Sequence, residues 1–83
     1  MYKIILEKKP ADFFRKLDKK EQERIAKKFN ELEKNPELGK PLTASLSGLW
    51  SLRIGDFRTI YQIKQNELII LVLKLGHRKN VYE

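Results

Sequence analysis

Two arginines flank a Gly-Asp pair in the segment Trp50-Ser51-Leu52-Arg53-Ile54-Gly55-Asp56-Phe57-Arg58, and a second chemically capable group closes the chain as Gly76-His77-Arg78-Lys79-Asn80-Val81-Tyr82. Gly55-Asp56 reads as a two-residue hairpin turn. Ile54 then lies opposite Phe57, Arg53 opposite Arg58, Leu52 opposite Thr59 and Trp50 opposite Tyr61. Trp50, Leu52, Ile54, Phe57 and Tyr61 share one face of the hairpin, and Arg53 and Arg58 stand together on the other. Like charges directly opposite each other destabilise a strand pair by about 0.2–1 kcal/mol. An anion between the two guanidiniums would offset this, because arginine forks match phosphate oxygens in geometry and charge. The equally weighted alternative is that both side chains splay into water or pair with carboxylates such as Asp56.

The closing run brings together one histidine, two cations and a phenol. Such groups can cut RNA without a metal. A base removes the ribose 2′-hydroxyl proton, cations stabilise the phosphorane, and an acid protonates the leaving 5′ oxygen. His77 and Tyr82 can exchange protons, Arg78 can hold charge, and Lys74 and Lys79 are placed to bind an RNA backbone. Against this, a lone histidine is more often a surface residue, and a tyrosine near a terminus more often packs or binds a partner. There is no second histidine, no metal-binding spacing, no P-loop and no dinucleotide fingerprint, so no cofactor is expected. On residue chemistry alone the chain is a candidate RNA-binding domain.

The elements that must position these groups follow from periodicity. Tyr2, Ile4 and Leu6 alternate as a first strand. Pro10 suits the first turn of a short helix carrying Phe13, Phe14 and Leu17 and ending near Asp18. Asp18 with Glu21 has capping-box spacing for a second helix. That helix buries Ile25, Phe29 and Leu32 and stops at Asn35-Pro36. Pro36 to Gly48 reads as a long irregular connection. After the hairpin, Gln65-Asn66 reads as another two-residue turn into the apolar run beginning at Leu68. Its register would pair Arg58 with Leu73 and Ile60 with Leu71, and extrapolates His77 onto the arginine face. Gly76 permits a bulge there, so either His77 or Arg78 could be the group aimed back at the sheet. The expected class is α+β, with an N-terminal strand and two helices packed on one face of a four-stranded, mostly antiparallel sheet.

Composition sets the outer limits. Eighty-three residues make one domain, 1–83, because so short a chain cannot divide its core. The absence of cysteine removes disulfides, thiolate sites and thiol nucleophiles, which suits a reducing cytoplasm. No apolar run is long enough to cross a bilayer and no signal-peptide core follows Met1, so a start near Met1 and a cytoplasmic location without membrane contact are expected. Eighteen Lys and Arg against 11 Asp and Glu give a net charge of +7, a field that favours polyanions.

The stretch from Gly48 to Tyr61 closely resembles the arginine-bearing hairpin of RelE/ParE-superfamily toxins, whose usual form is aromatic-x-Leu-Arg-x-Gly-Asp-aromatic-Arg. The run from Gly76 to Tyr82 resembles that family's closing strand, and length and element order agree along essentially the whole chain. The resemblance to RelE-type members implies a toxin of a type II toxin–antitoxin system. Its activity would be that of a ribosome-dependent, metal-independent endoribonuclease. It would cleave mRNA to a 2′,3′-cyclic phosphate and a 5′-hydroxyl, and so block translation. Carried over by position, Arg53 is a basic group near the scissile phosphate, Arg58 binds phosphate and stabilises the transition state, Arg78 assists the leaving group, and Tyr82 stacks on or orients the substrate. Ser51 stands where some RelE toxins carry a lysine, which leaves the general base open. His77 is the candidate by position. The resemblance also implies a RelB-type antitoxin, in a toxin–antitoxin heterotetramer. By register Leu49, Ile60, Ile69, Leu71 and Leu73 share the arginine face with too few polar neighbours for a fully exposed sheet, a surface that such a partner, further protein or a dimer mate would cover. ParE-type members of the same fold instead inhibit DNA gyrase by binding.

Overall fold

The computed structural model describes residues 1–81. Strand β1 (Lys3–Leu6) leads into helices α1 (Lys8–Arg15) and α2 (Lys19–Lys34), followed by β2 (Lys40–Pro41), β3 (Trp50–Ile54), β4 (Phe57–Lys64) and β5 (Ile69–His77). One mixed sheet results, in the order β1-β5-β4-β3-β2. Only β1 and β5 run parallel, because the two helices carry the chain back across one face before the hairpins begin. The α+β class is as expected, with five strands in place of four.

The extra strand is β2, inside the connection read as irregular. It consists of two residues, Lys40 opposite Ser51 and Pro41 opposite Trp50, too short for any alternation to show. Single 3-10 turns at Pro36–Leu38 and Ala44–Leu46 flank it, and the Leu42 N–H donates to the Leu49 carbonyl at 2.8 Å. Gly39 is required here by space. A Cβ at that position would lie 2.4 Å from the Ser51 carbonyl oxygen and 2.8 Å from the Tyr61 hydroxyl. The fully buried Tyr61 hydroxyl donates to the Pro36 carbonyl at 2.7 Å and accepts from the Gly39 N–H at 3.1 Å, tying the connection to the sheet. Burial pushes the Tyr61 pKa above its ordinary value; the Gly39 hydrogen bond opposes the shift and Glu37 adds to it.

The Asp18 carboxylate caps α2 by accepting from the Glu21 N–H at 2.8 Å, and the helix stops one residue before Asn35-Pro36. Helix α1 begins at Lys8, so Pro10 sits inside the first turn, where its missing N–H leaves no bond unmade. Ile25, Phe29 and Leu32 of α2 pack with Leu52, Ile54, Phe57, Tyr61, Ile70, Val72 and Leu75 of the sheet, with Phe13, Phe14 and Leu17 against the same cluster. All the apolar hairpin residues expected on the helix side are there.

Register differs at the second hairpin. Lys64 pairs with Ile69, and the turn takes a 3-10 form over Gln65–Glu67, with Leu68 in the left-handed region at φ 55°. Two more residues are thus spent in the turn than expected. A bulge between Ile60 and Tyr61 then places Ile60 opposite Lys74 and Tyr61 opposite Val72, with Leu73 as the additional residue. One extra residue reverses the alternation of β5 beyond it. The expected pairs Arg58 with Leu73 and Ile60 with Leu71 are therefore replaced by Arg58 with Gly76 and Ile60 with Lys74.

Candidate functional site

The β3–β4 hairpin has the register anticipated for it, with Arg53 opposite Arg58 and Ile54 opposite Phe57 around a turn whose first central residue, Gly55, takes φ 59°. Directly opposite residues hold their Cβ atoms about 4.5–5.5 Å apart. The two guanidiniums do not meet head-on, because each is tied to a different part of β3 and its turn. Arg53 is exposed, and its Nε donates to the Gly55 carbonyl at 3.3 Å, toward the tip. Arg58 is half-buried, and its Nη1 donates to Ser51 Oγ at 2.8 Å, away from the tip. The two side chains diverge along the hairpin as the splayed alternative anticipated, onto protein acceptors instead of water.

Ser51 enters the site by this bond. It is 5% exposed and lies on the arginine face opposite Ile60, which is 3% exposed. Nothing in the sequence flagged it except the resemblance to RelE toxins, some of which would carry a lysine there. The signal that could have found it is its parity with Arg53, two residues away on the same face.

The bulge decides what β5 contributes. Lys74 and Gly76 pair with Ile60 and Arg58 and so share the arginine face. The Lys74 carbonyl accepts from the buried Thr59 hydroxyl at 2.9 Å, which steadies the strand beside the irregularity. His77 pairs with Phe57 and stands on the helix side. Its ring centroid lies 5.3 Å from that of Phe57 and 5.7 Å from that of Phe13. The extrapolation that set His77 on the arginine face is corrected by that one-residue shift, which came at Ile60 and Tyr61 and not at Gly76. The Arg78 N–H donates to the Asp56 carbonyl at 2.9 Å, docking the closing turn on the hairpin tip, and the exposed Lys79 follows within it. Val81 folds back onto Gly76 and is buried. Tyr82 lies outside the described residues.

Arg53, Arg58, Lys74 and the Arg78 backbone are thus gathered around one end of the sheet face that the helices leave uncovered. The other end is apolar. Ile5, Ile69 and Leu71 share this face by register, Ile5 being 39% exposed and the other two half-buried. A cleft of about 490 Å³ opens at the cationic end, between α1 and the closing turn, with Lys9, Phe13, Lys74, His77 and Asn80 in its lining. The ion pairs seen between described residues, Asp12 with Arg15 and Lys28 with Glu31, lie on the helices, so neither neutralises this end. Among the described residues no group of three or more histidines and carboxylates gathers to hold a metal ion, and no helix is long and apolar enough to cross a membrane.

The family model of the ParE toxin of type II toxin-antitoxin system, parDE, matches residues 6–82. The chain belongs to this family. Within the wider RelE/ParE group, this ParE-family chain is 34% identical over 55 residues to Toxin RelG of Mycobacterium tuberculosis. That alignment covers 65% of this chain and 63% of the relative, so the chain spans under two thirds of the relative's length. A chain of the crystal structure of the toxin-antitoxin complex RelBE2 from Mycobacterium tuberculosis superimposes with a TM-score of 0.83 at 26% identity, covering 93% of this chain and 98% of that one. A chain of the archaeal RelE-RelB complex from Pyrococcus horikoshii OT3 superimposes with a TM-score of 0.75 at 26% identity, covering 96% and 98%. The ParE-family chain therefore has a RelE-like fold.

Proposed function

We propose that this protein is the toxin of a type II toxin–antitoxin pair and that it cleaves mRNA on the ribosome. The observation that carries the reading is the cross-strand pair of Arg53 and Arg58, each held by a hydrogen bond on the helix-free face, with Lys74 beside them. A phosphodiester laid over this end would meet two guanidiniums and an ammonium.

In the proposed step the ribose 2′ oxygen attacks phosphorus, the O2′–P bond forms and the P–O5′ bond breaks. The 2′ proton passes to an acceptor and the 5′ oxygen takes a proton, which gives a 2′,3′-cyclic phosphate and a 5′-hydroxyl. Arg58, restrained by Ser51, stabilises the equatorial oxygens; Arg53, from the tip, holds the neighbouring backbone; and Arg78 attends the leaving oxygen. Lys74 and Lys79 supply sequence-independent attraction, which would fall steeply with salt. Tyr82 enters on the family resemblance alone, as the residue that orients the substrate. His77, set against Phe13 and Phe57, is left outside the reacting group. The site of action would be the cytoplasm, and the apolar end of the same face, through Ile5, Ile69 and Leu71, would seat a RelB-type antitoxin.

The test is to add purified protein to ribosomes programmed with a defined message and to map the new 5′ ends. Cuts within the decoding site, abolished by Arg58→Ala, are expected. Intact message together with loss of gyrase supercoiling would transfer the protein to the gyrase-inhibiting branch, a second reading that the match to the ParE family model favours.

A further inference from the structure

Resting on the reading of the arginine face as the cleavage site, we propose that Ser51 is a positioning residue for Arg58 and that a serine serves this chain better there than a lysine would. The Ser51 hydroxyl accepts from Arg58 Nη1 at 2.8 Å, and at 5% exposure the serine is in place before any substrate arrives. An arginine side chain has several free rotations and loses rotamer entropy when fixed. Holding one Nη in the free protein means that part of this loss has already occurred when RNA binds.

Direction matters as much as restraint. Arg53 and Arg58 face each other across the hairpin, and without tethers their charges would drive them apart unpredictably. Ser51 lies two positions from Arg53 away from the turn, whereas Gly55, which accepts from Arg53 Nε, lies two positions toward it. The two acceptors draw the guanidiniums in opposite directions along β3. A tetrahedral anion with several oxygens can bridge two guanidiniums held apart in this way.

A lysine at position 51 would bring a third positive charge beside Arg58 and take away the acceptor, since an ammonium only donates. Ser51→Lys is thus expected to weaken the site although it raises its charge and restores a residue that some relatives of this fold carry. A purely electrostatic site would respond in the opposite sense.

A double-mutant cycle separates these cases. Single-turnover cleavage on programmed ribosomes is measured for the wild type, Ser51→Ala, Ser51→Thr, Ser51→Lys, Arg58→Ala and the Ser51→Ala/Arg58→Ala pair. Ser51→Ala should lower the rate at saturating toxin by about ten- to a hundredfold, the range for a hydrogen bond to a charged group, with little change in the half-saturating concentration. Ser51→Thr, which keeps the hydroxyl, should recover most of the rate, and Ser51→Lys should fall below the wild type. In the Arg58→Ala background, Ser51→Ala should change the rate by less than about twofold, because its effect runs through the missing arginine. Ser51→Cys fills the same volume with a poor acceptor and repeats the comparison should Ser51→Ala lose its fold.

Equal losses in both backgrounds, or a Ser51→Lys variant as fast as the wild type, would overturn the proposal. If the wild type itself leaves message intact, the same cycle is run on the affinity for an RNA oligonucleotide whose riboses are 2′-deoxy at the probe's centre. Coupling that persists there would retire the cleavage reading and keep the role of Ser51; additivity there would remove that role as well.

Discussion

Replacing Gly39 by alanine tests the tightest approach in the fold. The new methyl would lie 2.4 Å from the Ser51 carbonyl oxygen and 2.8 Å from the Tyr61 hydroxyl, about an ångström inside normal contact. Neither obstacle yields freely. The Ser51 carbonyl belongs to β3, paired on both sides, and the Tyr61 hydroxyl is held by Pro36 and Gly39. The chain can relieve the clash only by moving the 36–41 segment outward. Movement of that segment strips a buried hydroxyl of its partners, for about 1–3 kcal/mol, and breaks the two-residue β2 ladder at about 1 kcal/mol per bond. A loss of about 3–4 kcal/mol is expected, against about 4–12 kcal/mol for a domain of this size. Urea unfolding would measure it, followed by far-ultraviolet circular dichroism and by fluorescence of Trp50. As the chain's single tryptophan, stacked on Tyr61 at a centroid distance of 6.3 Å, Trp50 reports on this region directly. Gly48→Ala is the control. That position has φ 92° with open space around it, so only the backbone strain of about 1–2 kcal/mol applies. A Gly39→Ala loss no greater than that of Gly48→Ala would refute the account of the 36–41 segment as pinned.

Three further outcomes follow from the same contacts. Tyr61 has its pKa raised above 10.0 by burial, so the unfolded chain releases this proton first as pH climbs. Its contribution to stability should be complete below pH 10 and decline from there toward the native pKa, and Tyr61→Phe should remove that part of the alkaline decline in denaturation midpoints. Leu68, half-exposed at φ 55°, carries left-handed strain that asparagine tolerates better. Leu68→Asn should therefore gain about 1 kcal/mol, seen as a rise of about 4–8 °C in Tm. His77→Ala should leave ribosomal cleavage within about threefold of the wild type, whereas Arg58→Ala should lower it by about 10²–10³-fold, the range for a lost transition-state donor. A histidine variant as inactive as the arginine variant would put the proton acceptor back on His77.

Much of the fold was legible because the decisive turn was unambiguous. A Gly-Asp pair between alternating apolar residues admits one register, and Arg53, Arg58 and the helix-side cluster all follow from it. The second hairpin was not legible for local reasons. Its left-handed residue is a leucine, which no turn rule marks, and its bulge falls among Ile60, Tyr61 and Leu73 with no glycine to announce it. The longer turn, two residues beyond expectation, kept the parity of β5; the bulge alone moved His77 off the arginine face and brought Lys74 onto it. Strand β2 escaped notice because two residues, one a proline, carry no periodicity. Ser51 escaped because small polar residues fit any surface strand, and its value depends on where the arginine opposite chooses to lean.

The bulge makes β5 a strand with two independent phases. Its first half is in step with β1 and lends isoleucine and leucine to one end of the open face; its second half, half a period later, lends a lysine and a glycine to the other end. Straightening the bulge with Leu73 kept and paired opposite Ile60 would turn Lys74 toward the helices and Leu75 and His77 outward, so that a cationic floor would become an apolar strip with no residue substituted. Whether Leu73 is bulged out or paired, more than which residues follow it, sets the chemical character of the surface.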